Sequence, residues 1–369
     1  MVEDFGYVPQ KTITKNILTR FPRFVEFLAR KDFSPPASKP NYRGPQNSSA
    51  PNFPLYPHIP FLLTSPAAFP MKPTLLLSLL TVVASHSLPP RNPEIFLDFD
   101  GTIAVTEAFE NLPLTAYESL PANSEVPPWP YFQDTYYADY LNVSASLAEP
   151  STIQEELQLQ SHAGLYAAEK DSFDRVHASG LFTTVSESAL EAAAANVTLR
   201  AGFWEFVSAA QARGVRVSVI SRNWSVRWIR TVLRASAPDE LAEVLYIYCP
   251  EILPAGVLAA NKRDRPVDVF SGDDKIEIMK CVAAKGKQVV FVGDSNSDLG
   301  PILLPPTVVG VVAGLDSGSA RTIRRENNLW RADQGWEGYT GVDTGAYVLE
   351  DWRELVTLLG WTRKRKVVV

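Results

Sequence analysis

Two acidic side chains, Asp98 and Asp100, stand two positions apart directly after the mostly apolar residues 94–97. That segment has the pattern of a buried strand, so both carboxylates would lie at the carboxyl edge of a sheet, where open α/β proteins bind ligands. One carboxylate could attack a substrate as nucleophile while the other moves protons. Gly101 allows a sharp turn there, and Thr102 can hydrogen-bond within the loop. The same residue types also suit a plain capped turn, so this motif alone leaves both interpretations open.

A second acidic loop follows the apolar residues 288–293 and has the form Gly-Asp-x-x-x-Asp, with Gly293, Asp294 and Asp298. Asp294 could bind a hard cation beside the first pair of carboxylates. Magnesium takes oxygen ligands and commonly binds through one or two carboxylates together with phosphate and water. A Gly-Asp turn after a strand is common by itself, but two strand-ending acidic loops in one α/β chain indicate a shared site.

Two further positions are weaker candidates for contacts to a bound phosphate. Ser221 follows residues 215–220, which alternate valine with polar residues and end in isoleucine, and its hydroxyl could hydrogen-bond to a phosphate oxygen, with Arg222 and Asn223 within reach of a substrate. Lys275 stands in the first turn of a predicted helix, where the helix dipole disfavours a cation, so its charge could serve a nearby anion. A strand-ending serine is more often part of a turn and a single lysine is more often solvated, so neither position identifies a function alone.

The elements that must position these residues follow from an alternation of strand and helix patterns after residue 93. Apolar runs with the length of buried strands alternate with helical periodicity, which predicts an α/β fold with a mostly parallel sheet and helices on both faces. The predicted strands are residues 94–98, 215–220, 244–248, 288–293 and 307–312, and the predicted helices are residues 203–213, 226–235, 274–284, 317–327 and 349–359.

Four regions are predicted along the chain. Residues 1–92 are rich in proline and are predicted to be mostly disordered, with a helix favoured only near residues 14–30. The remaining regions are a core of residues 93–111 and 199–362, a helical cap insertion of residues 112–198 between the first two core strands, and a basic, solvated tail of residues 363–369.

An apolar run at residues 75–84 follows Met71 and resembles a secretory signal sequence that starts inside the chain. If translation began at Met71, the product would be exported. Otherwise the run is an incidental part of a linker, and the protein is expected in the cytoplasm. The run is shorter than the roughly 20 residues that a membrane-spanning helix needs, so no stable membrane span is predicted.

The composition excludes two classes of protein. Hydrophobic residues make up 46% of the 369 residues, enough for a sizeable core, and the net charge of −6 argues against a general nucleic-acid-binding protein. The chain has two cysteines, Cys249 and Cys281, which are too few for a framework of disulfides.

Taken in order along the chain, these motifs resemble those of the haloacid dehalogenase superfamily, most of whose members are phosphatases. The matching residues are Asp98, Asp100 and Thr102 for the first motif, Ser221 for the second, Lys275 for the third, and Gly293, Asp294 and Asp298 for the fourth. The resemblance extends over about residues 94–312 and implies a Rossmann-like core. The long insertion is similar to the helical C1 cap of phosphoserine-phosphatase-like members, which would close over the site.

The resemblance also implies a role for each side chain. Asp98 would be the nucleophile that forms an aspartyl-phosphate, and Asp100 would protonate the leaving group and then activate water. Magnesium would be held by the carboxylates of Asp98 and Asp294 and by the backbone carbonyl of Asp100, and Asp298 would orient either the water shell of the metal or Lys275. The residues expected to contact the phosphoryl oxygens are Ser221 and Lys275, with Thr102, Arg222 and Asn223 as further candidates.

An acid at the position of Asp100 is typical of phosphatases and phosphomutases and is missing from dehalogenating members of the superfamily. The expected function is therefore magnesium-dependent hydrolysis of a small phosphorylated metabolite. Two alternatives stay open. One is a phosphomutase of the same superfamily, in which a sugar phosphate accepts the phosphoryl group, and the other is a catalytically silent binding protein of the same fold.

Overall fold

The structure, a computed structural model, describes residues 88–105, 108–238 and 240–361 of the chain. Most of the N-terminal region 1–92 lies outside these residues, including the helix favoured near residues 14–30 and the apolar run after Met71. The basic tail 363–369 lies outside them as well. The interpretations of these segments therefore stay predictions.

The described residues form one eight-stranded sheet in which all paired neighbours are parallel. Its strands are β1 (Glu94–Leu97), β2 (Val217–Ile220), β3 (Tyr246–Cys249), β4 (Asp264–Pro266), β5 (Val289–Gly293), β6 (Thr307–Ala313), β7 (Asn328–Arg331) and β8 (Gly345–Leu349). Their order across the sheet is β4-β3-β2-β1-β5-β6-β8-β7. This parallel sheet with its connecting helices confirms the predicted α/β, Rossmann-like fold class.

In the part of the chain that the structure describes, six α-helices lie between β1 and β2, and the first five of them precede residue 199. These five are α1 (Ala108–Glu118), α2 (Trp129–Ser144), α3 (Ile153–Gln160), α4 (Ala163–Ala178) and α5 (Glu187–Ala194). The other helices are α6 (Phe203–Gln211), α7 (Val226–Ser236), α8 (Gly272–Val282), α9 (Leu299–Leu303), α10 (Gly318–Ile323) and α11 (Trp352–Leu358). We call residues 108–198 the insertion. Among the described helices, none combines the length and apolar character needed to cross a membrane.

The central strand β1 pairs with β2 on one side and with β5 on the other. Its last residue, Leu97, is level with Val219 and Val292 of these two neighbours, so the loops after the three strands begin together at one edge. The side chains of β1 alternate between two apolar clusters, with Ile95 and Leu97 in one and Phe96 in the other. Both faces of β1 are therefore covered, which explains its continuous apolar sequence.

The two segments that lead into and out of the insertion lie side by side. Ala104 pairs with Leu199 in an antiparallel bridge, and the N–H of Val105 donates to the carbonyl of Thr198 at 2.9 Å. The insertion is therefore joined to the core at one place, close to the loop that begins at Asp98.

Two parts of the insertion make different contacts. Helices α2 and α4 pack against each other, and the Tyr136 hydroxyl on α2 donates to Glu169 Oε1 on α4 at 2.8 Å. Helix α3 contacts the core at the loop after β5, where Asn296 Nδ2 donates to Glu156 Oε1 of this helix at 3.1 Å. The insertion thus reaches the second acidic loop as well as the first.

Candidate active site

Asp98 follows β1 and is held at the sheet edge by its own backbone. Its N–H donates to the Val292 carbonyl at 2.8 Å, which continues the pairing of β1 with β5. The residue is 7% exposed, and its Oδ1 accepts a hydrogen bond from Lys275 Nζ at 2.7 Å. Burial, together with the carboxylate of Asp298, raises the pKa of Asp98 to about 6 against the opposing effect of Lys275. This carboxylate is therefore buried, paired and close to a second acid.

Lys275 is the buried cation of the site. It lies in the first turn of α8, where Ser271 and Asp274 form a reciprocal capping box. Its Nζ is 2.7 Å from the Oδ1 atoms of both Asp98 and Asp298, and the residue is 1% exposed. Burial favours the neutral amine, but the two carboxylates outweigh it and raise the pKa of Lys275. The lysine therefore stays charged between two acids.

The loop after β5 brings Asp294 and Asp298 to the same edge. Asp294 Oδ1 accepts a hydrogen bond from Thr102 Oγ1 at 3.1 Å. Asp298 is fully buried, and its Oδ2 accepts from the Ser295 N–H at 3.2 Å and from the Ser295 hydroxyl at 2.8 Å. Carboxylate oxygens of Asp98, Asp294 and Asp298 all lie within 4.8 Å of one another. The two acidic loops therefore form one cluster.

The donor set of this cluster fits a hard divalent cation. Carboxylate oxygens are the ligands that Mg²⁺ prefers, and here three carboxylates lie together, two of which contact the ammonium group of Lys275. A bound dication would offset the excess negative charge. Both oxygens of Asp298 already accept hydrogen bonds, from Lys275 and Ser295, so Asp98 and Asp294 are better placed to act as ligands.

Gly101 allows the two acidic loops to approach each other. Its φ of +79° is a left-handed conformation that residues with a side chain rarely adopt, and a Cβ atom added there would lie 2.4 Å from Asp294 Oδ2. Arg200 holds the same turn from outside by donating to the carbonyls of Gly101 at 2.6 Å and Thr102 at 3.0 Å. The backbone of this turn is therefore fixed in contact with the Asp294 carboxylate.

Replacing Gly101 with alanine should weaken magnesium binding. The added methyl group would displace the Asp294 carboxylate, in addition to the cost of about 1–2 kcal/mol for a left-handed backbone at alanine. We expect the affinity for Mg²⁺, measured by isothermal titration calorimetry, to fall at least tenfold, which corresponds to about 1.4 kcal/mol.

Gly286→Ala is the matched control for this substitution. Gly286 has the same φ of +79°, but no atom lies within 4 Å of a Cβ atom added there. The control should lose a similar amount of stability and keep its affinity for Mg²⁺. Unchanged Mg²⁺ affinity in Gly101→Ala would contradict the role that we assign to Gly101.

Asp100 lies where the acidic cluster meets the insertion. Its Oδ1 accepts a hydrogen bond from the N–H of Phe109, in the first turn of α1, at 3.0 Å. Its Oδ2 accepts from Asn223 Nδ2, in the loop after β2, at 2.9 Å. The side chain is half-buried, so this carboxylate is less enclosed than that of Asp98.

The loop after β2 contacts both the strand edge and the insertion. Ser221 is 1% exposed, and its Oγ accepts from the N–H of Asn223 at 3.0 Å. Arg222 Nη1 donates to Glu169 Oε1 on α4 at 3.0 Å, the same oxygen that accepts from Tyr136. The structure thus brings Ser221 and Asn223 to the edge beside β1 and places Arg222 against the insertion.

Three residues of this region are not indicated by the sequence. Arg200 stands two residues after the insertion, and its position where the chain returns to the core is the one sequence signal that could have pointed to it. Glu169 and Tyr136 lie within ordinary helical sequence. Only the packing of α2 and α4 brings them to the loop after β2.

A parallel sheet that buries several aspartates and a lysine at its carboxyl edge is typical of an enzyme rather than of a structural protein. Such charges are costly to bury, and they cluster where a ligand is bound or converted. The sequence model of the haloacid dehalogenase-like hydrolases matches residues 95–302, more than half of the chain. The chain belongs to this family and is a hydrolase, which confirms the resemblance seen in the motifs.

Several known proteins are similar to this chain. A CTO1 family protein of Schizosaccharomyces pombe is 28% identical over 228 residues, which cover 57% of this chain and 78% of that protein. Among solved structures, a phospho-aspartyl intermediate analogue of phosphoserine phosphatase is 15% identical with a TM-score of 0.42, covering 72% of this chain and 98% of that chain. Cytosolic 5'-nucleotidase IIIB bound to cytidine is 17% identical with a TM-score of 0.44, covering 78% and 96%. The family assignment depends on the family match alone.

Proposed function

We propose that this hydrolase is a magnesium-dependent phosphomonoesterase that acts on a small phosphorylated metabolite. The observation that carries the proposal is the contact of buried Lys275 with Asp98 and Asp298 at the edge where Asp294 also lies. Phosphoryl transfer needs fixed positive charge around the phosphate oxygens and a positioned nucleophile, and this cluster offers both.

We assign the chemical steps to Asp98 and Asp100. Lys275 engages Oδ1 of Asp98, so the attack on phosphorus falls to Oδ2. This attack forms an aspartyl-phosphate and breaks the bond between phosphorus and the ester oxygen, which takes a proton from Asp100. Asp100 then accepts a proton from the water that attacks the aspartyl-phosphate. Inorganic phosphate leaves, and Asp98 is restored.

The remaining residues would hold the phosphate and the metal. Ser221, Lys275 and Arg222 are the proposed contacts of the phosphoryl oxygens, and Asp298 orients Lys275 at 2.7 Å. A bound Mg²⁺, held by the carboxylates of Asp98 and Asp294 and the backbone carbonyl of Asp100, would neutralise charge between the anionic phosphate and the carboxylates. Thr102, through its hydrogen bond to Asp294, keeps one of these carboxylates in place.

We further assign residues 112–198 as a cap over a core formed by residues 93–111 and 199–362. Two contacts support this assignment, because Glu169 of α4 binds Arg222 and Glu156 of α3 accepts a hydrogen bond from Asn296. A cap in this position would exclude water from the site and restrict the size of the substrate.

Metal removal tests the proposal. The purified protein should hydrolyse p-nitrophenyl phosphate in the presence of Mg²⁺, and chelation with EDTA should lower the rate at least about 100-fold, because charge neutralisation by the metal is worth several kcal/mol. Excess Mg²⁺ should restore the rate. Hydrolysis that is insensitive to chelation, or absent with Mg²⁺, would contradict the proposed function.

A further inference from the structure

The carboxylate of Asp100 is held at both of its oxygens by neutral N–H donors. Oδ1 accepts from the backbone of Phe109 at 3.0 Å, and Oδ2 accepts from the side-chain amide of Asn223 at 2.9 Å. The first donor belongs to α1 and the second to the loop after β2, which are separated by more than 100 residues of sequence. Two distant parts of the chain therefore fix the plane of one half-buried side chain.

Asn223 has little freedom to turn away from Asp100. It is 2% exposed, and its Oδ1 accepts from the N–H of Trp224 at 2.7 Å. Its own N–H donates to Ser221 Oγ at 3.0 Å, and its carbonyl accepts from the Cys249 thiol at 2.8 Å. Because Oδ1 is the acceptor for a backbone N–H, the amide nitrogen must face Asp100.

We propose that Asn223 is a positioning residue for proton transfer, which fixes the Asp100 carboxylate in the orientation that serves the leaving oxygen. The inference rests on the proposed function, which gives Asp100 the proton of the leaving group. It assigns the Asn223 amide to Asp100, because Nδ2 donates to this carboxylate while Oδ1 accepts from the N–H of Trp224.

The contribution of an oriented acid depends on the leaving group. General acid catalysis adds about 10²–10⁴-fold when the acid lies within hydrogen-bond reach of the reacting oxygen. The p-nitrophenolate ion leaves readily without a proton. The phenolate of phenyl phosphate is more basic, so its departure depends more strongly on protonation. A loss of orientation at Asp100 should therefore slow phenyl phosphate much more than p-nitrophenyl phosphate.

The test compares Asn223→Ala and Asn223→Asp with the wild type on both esters at saturating Mg²⁺. Asn223→Asp keeps the oxygen that accepts from Trp224 and replaces the N–H that reaches Asp100 with a carboxylate oxygen that cannot donate, so it keeps the loop contact and removes the positioning contact. The ratio kcat/KM is measured because it covers all steps up to departure of the leaving group. We expect a loss of about 100-fold on phenyl phosphate and less than about tenfold on p-nitrophenyl phosphate.

Equal losses on the two esters, or no loss in either variant, would overturn the inference, because a purely structural role affects both substrates alike. Thermal unfolding shows whether each variant is folded. If Asn223→Ala does not fold, the inference is tested with Asn223→Asp alone. A wild-type protein that hydrolyses neither ester would overturn the proposed function itself, so the two failures are distinguishable.

Discussion

An Asp98→Asn variant should lose almost all hydrolysis of p-nitrophenyl phosphate, with kcat/KM reduced by about 10⁴-fold or more, as is typical when a sole nucleophile is removed. A carboxamide does not form the aspartyl-phosphate, but its oxygen can still accept the hydrogen bond from Lys275. The fold should therefore persist while the chemistry is lost. Release of p-nitrophenolate measures the rate, and mass spectrometry after acid quenching should find a phosphoryl group on the Asp98 peptide of the wild type only.

The control for this experiment is Asp333→Asn. Asp333 follows β7 at the outer end of the sheet and pairs with Arg331 at 3.0 Å on the surface. Its removal costs only a surface ion pair and should leave kcat/KM unchanged. Wild-type activity in Asp98→Asn would rule out Asp98 as the nucleophile, whatever the control shows.

A Lys275→Met variant should be strongly destabilised in the absence of metal. Methionine fills similar space, but it leaves Asp98 and Asp298 buried without the ammonium group that both contact at 2.7 Å. Removing one partner of a buried ion pair costs about 3–5 kcal/mol, and we expect a loss of this size in the free energy of unfolding measured with urea and EDTA. Added Mg²⁺ should recover part of the loss, because it supplies positive charge to the same carboxylates.

Acid should act in the same direction as Mg²⁺ on this variant. Burial and Asp298 already raise the pKa of Asp98 to about 6 with Lys275 present, and the pKa should rise further once the ammonium group is gone. Because this pKa is higher in the folded state than in the unfolded state, the folded protein takes up a proton as the pH falls through it. The destabilisation should therefore shrink as the pH is lowered.

Lys280→Met provides the matched comparison. Lys280 lies on the same helix α8, but its side chain is half exposed and its partner Glu277 is on the surface. The substitution should change the free energy of unfolding by about 0.5 kcal/mol or less and should show no response to Mg²⁺. If Lys275→Met lost no more stability than this control, Lys275 would not be the cation that stabilises the buried carboxylates of Asp98 and Asp298.

The core of the fold can be predicted from sequence because its strands are buried on both faces. Residues 95–97 and 289–293 are continuous apolar runs, and the acids that end them follow at once. Parallel topology then requires that Asp98 and Asp294 meet at one edge. Both the apolar strand and the acidic loop that follows it can be recognised from local sequence.

The outer strands β4 and β7 could not be predicted because they are not continuously buried. Strand β4 has three residues and contains Pro266, and β7 is only partly buried, so neither has a clear apolar pattern. Strand β8 is as buried as the central strands, but the sequence pattern assigned its last residue, Leu349, to a helix. The structure corrects this, because helix α11 begins only after Asp351, whose side chain caps it.

The contacts around Asp100 could not be predicted from local sequence either. The Asn223 amide and the Phe109 backbone reach one carboxylate from segments far apart in the chain, and Glu169 reaches Arg222 only because α4 packs over the loop after β2. No periodicity or motif encodes such contacts, since they depend on how the insertion settles on the core. The sequence predicts which side chains carry charge, and tertiary packing decides which of them touch.

The paired bridge between Ala104 and Leu199 has a consequence for how proteins of this architecture can diverge. Because the chain leaves the core and returns to it at neighbouring positions, the insertion between them can become longer or shorter or be replaced. The strands that carry the acidic residues need not move. Natural selection can in this way alter the insertion without rebuilding the sheet edge that carries Asp98 and Asp294.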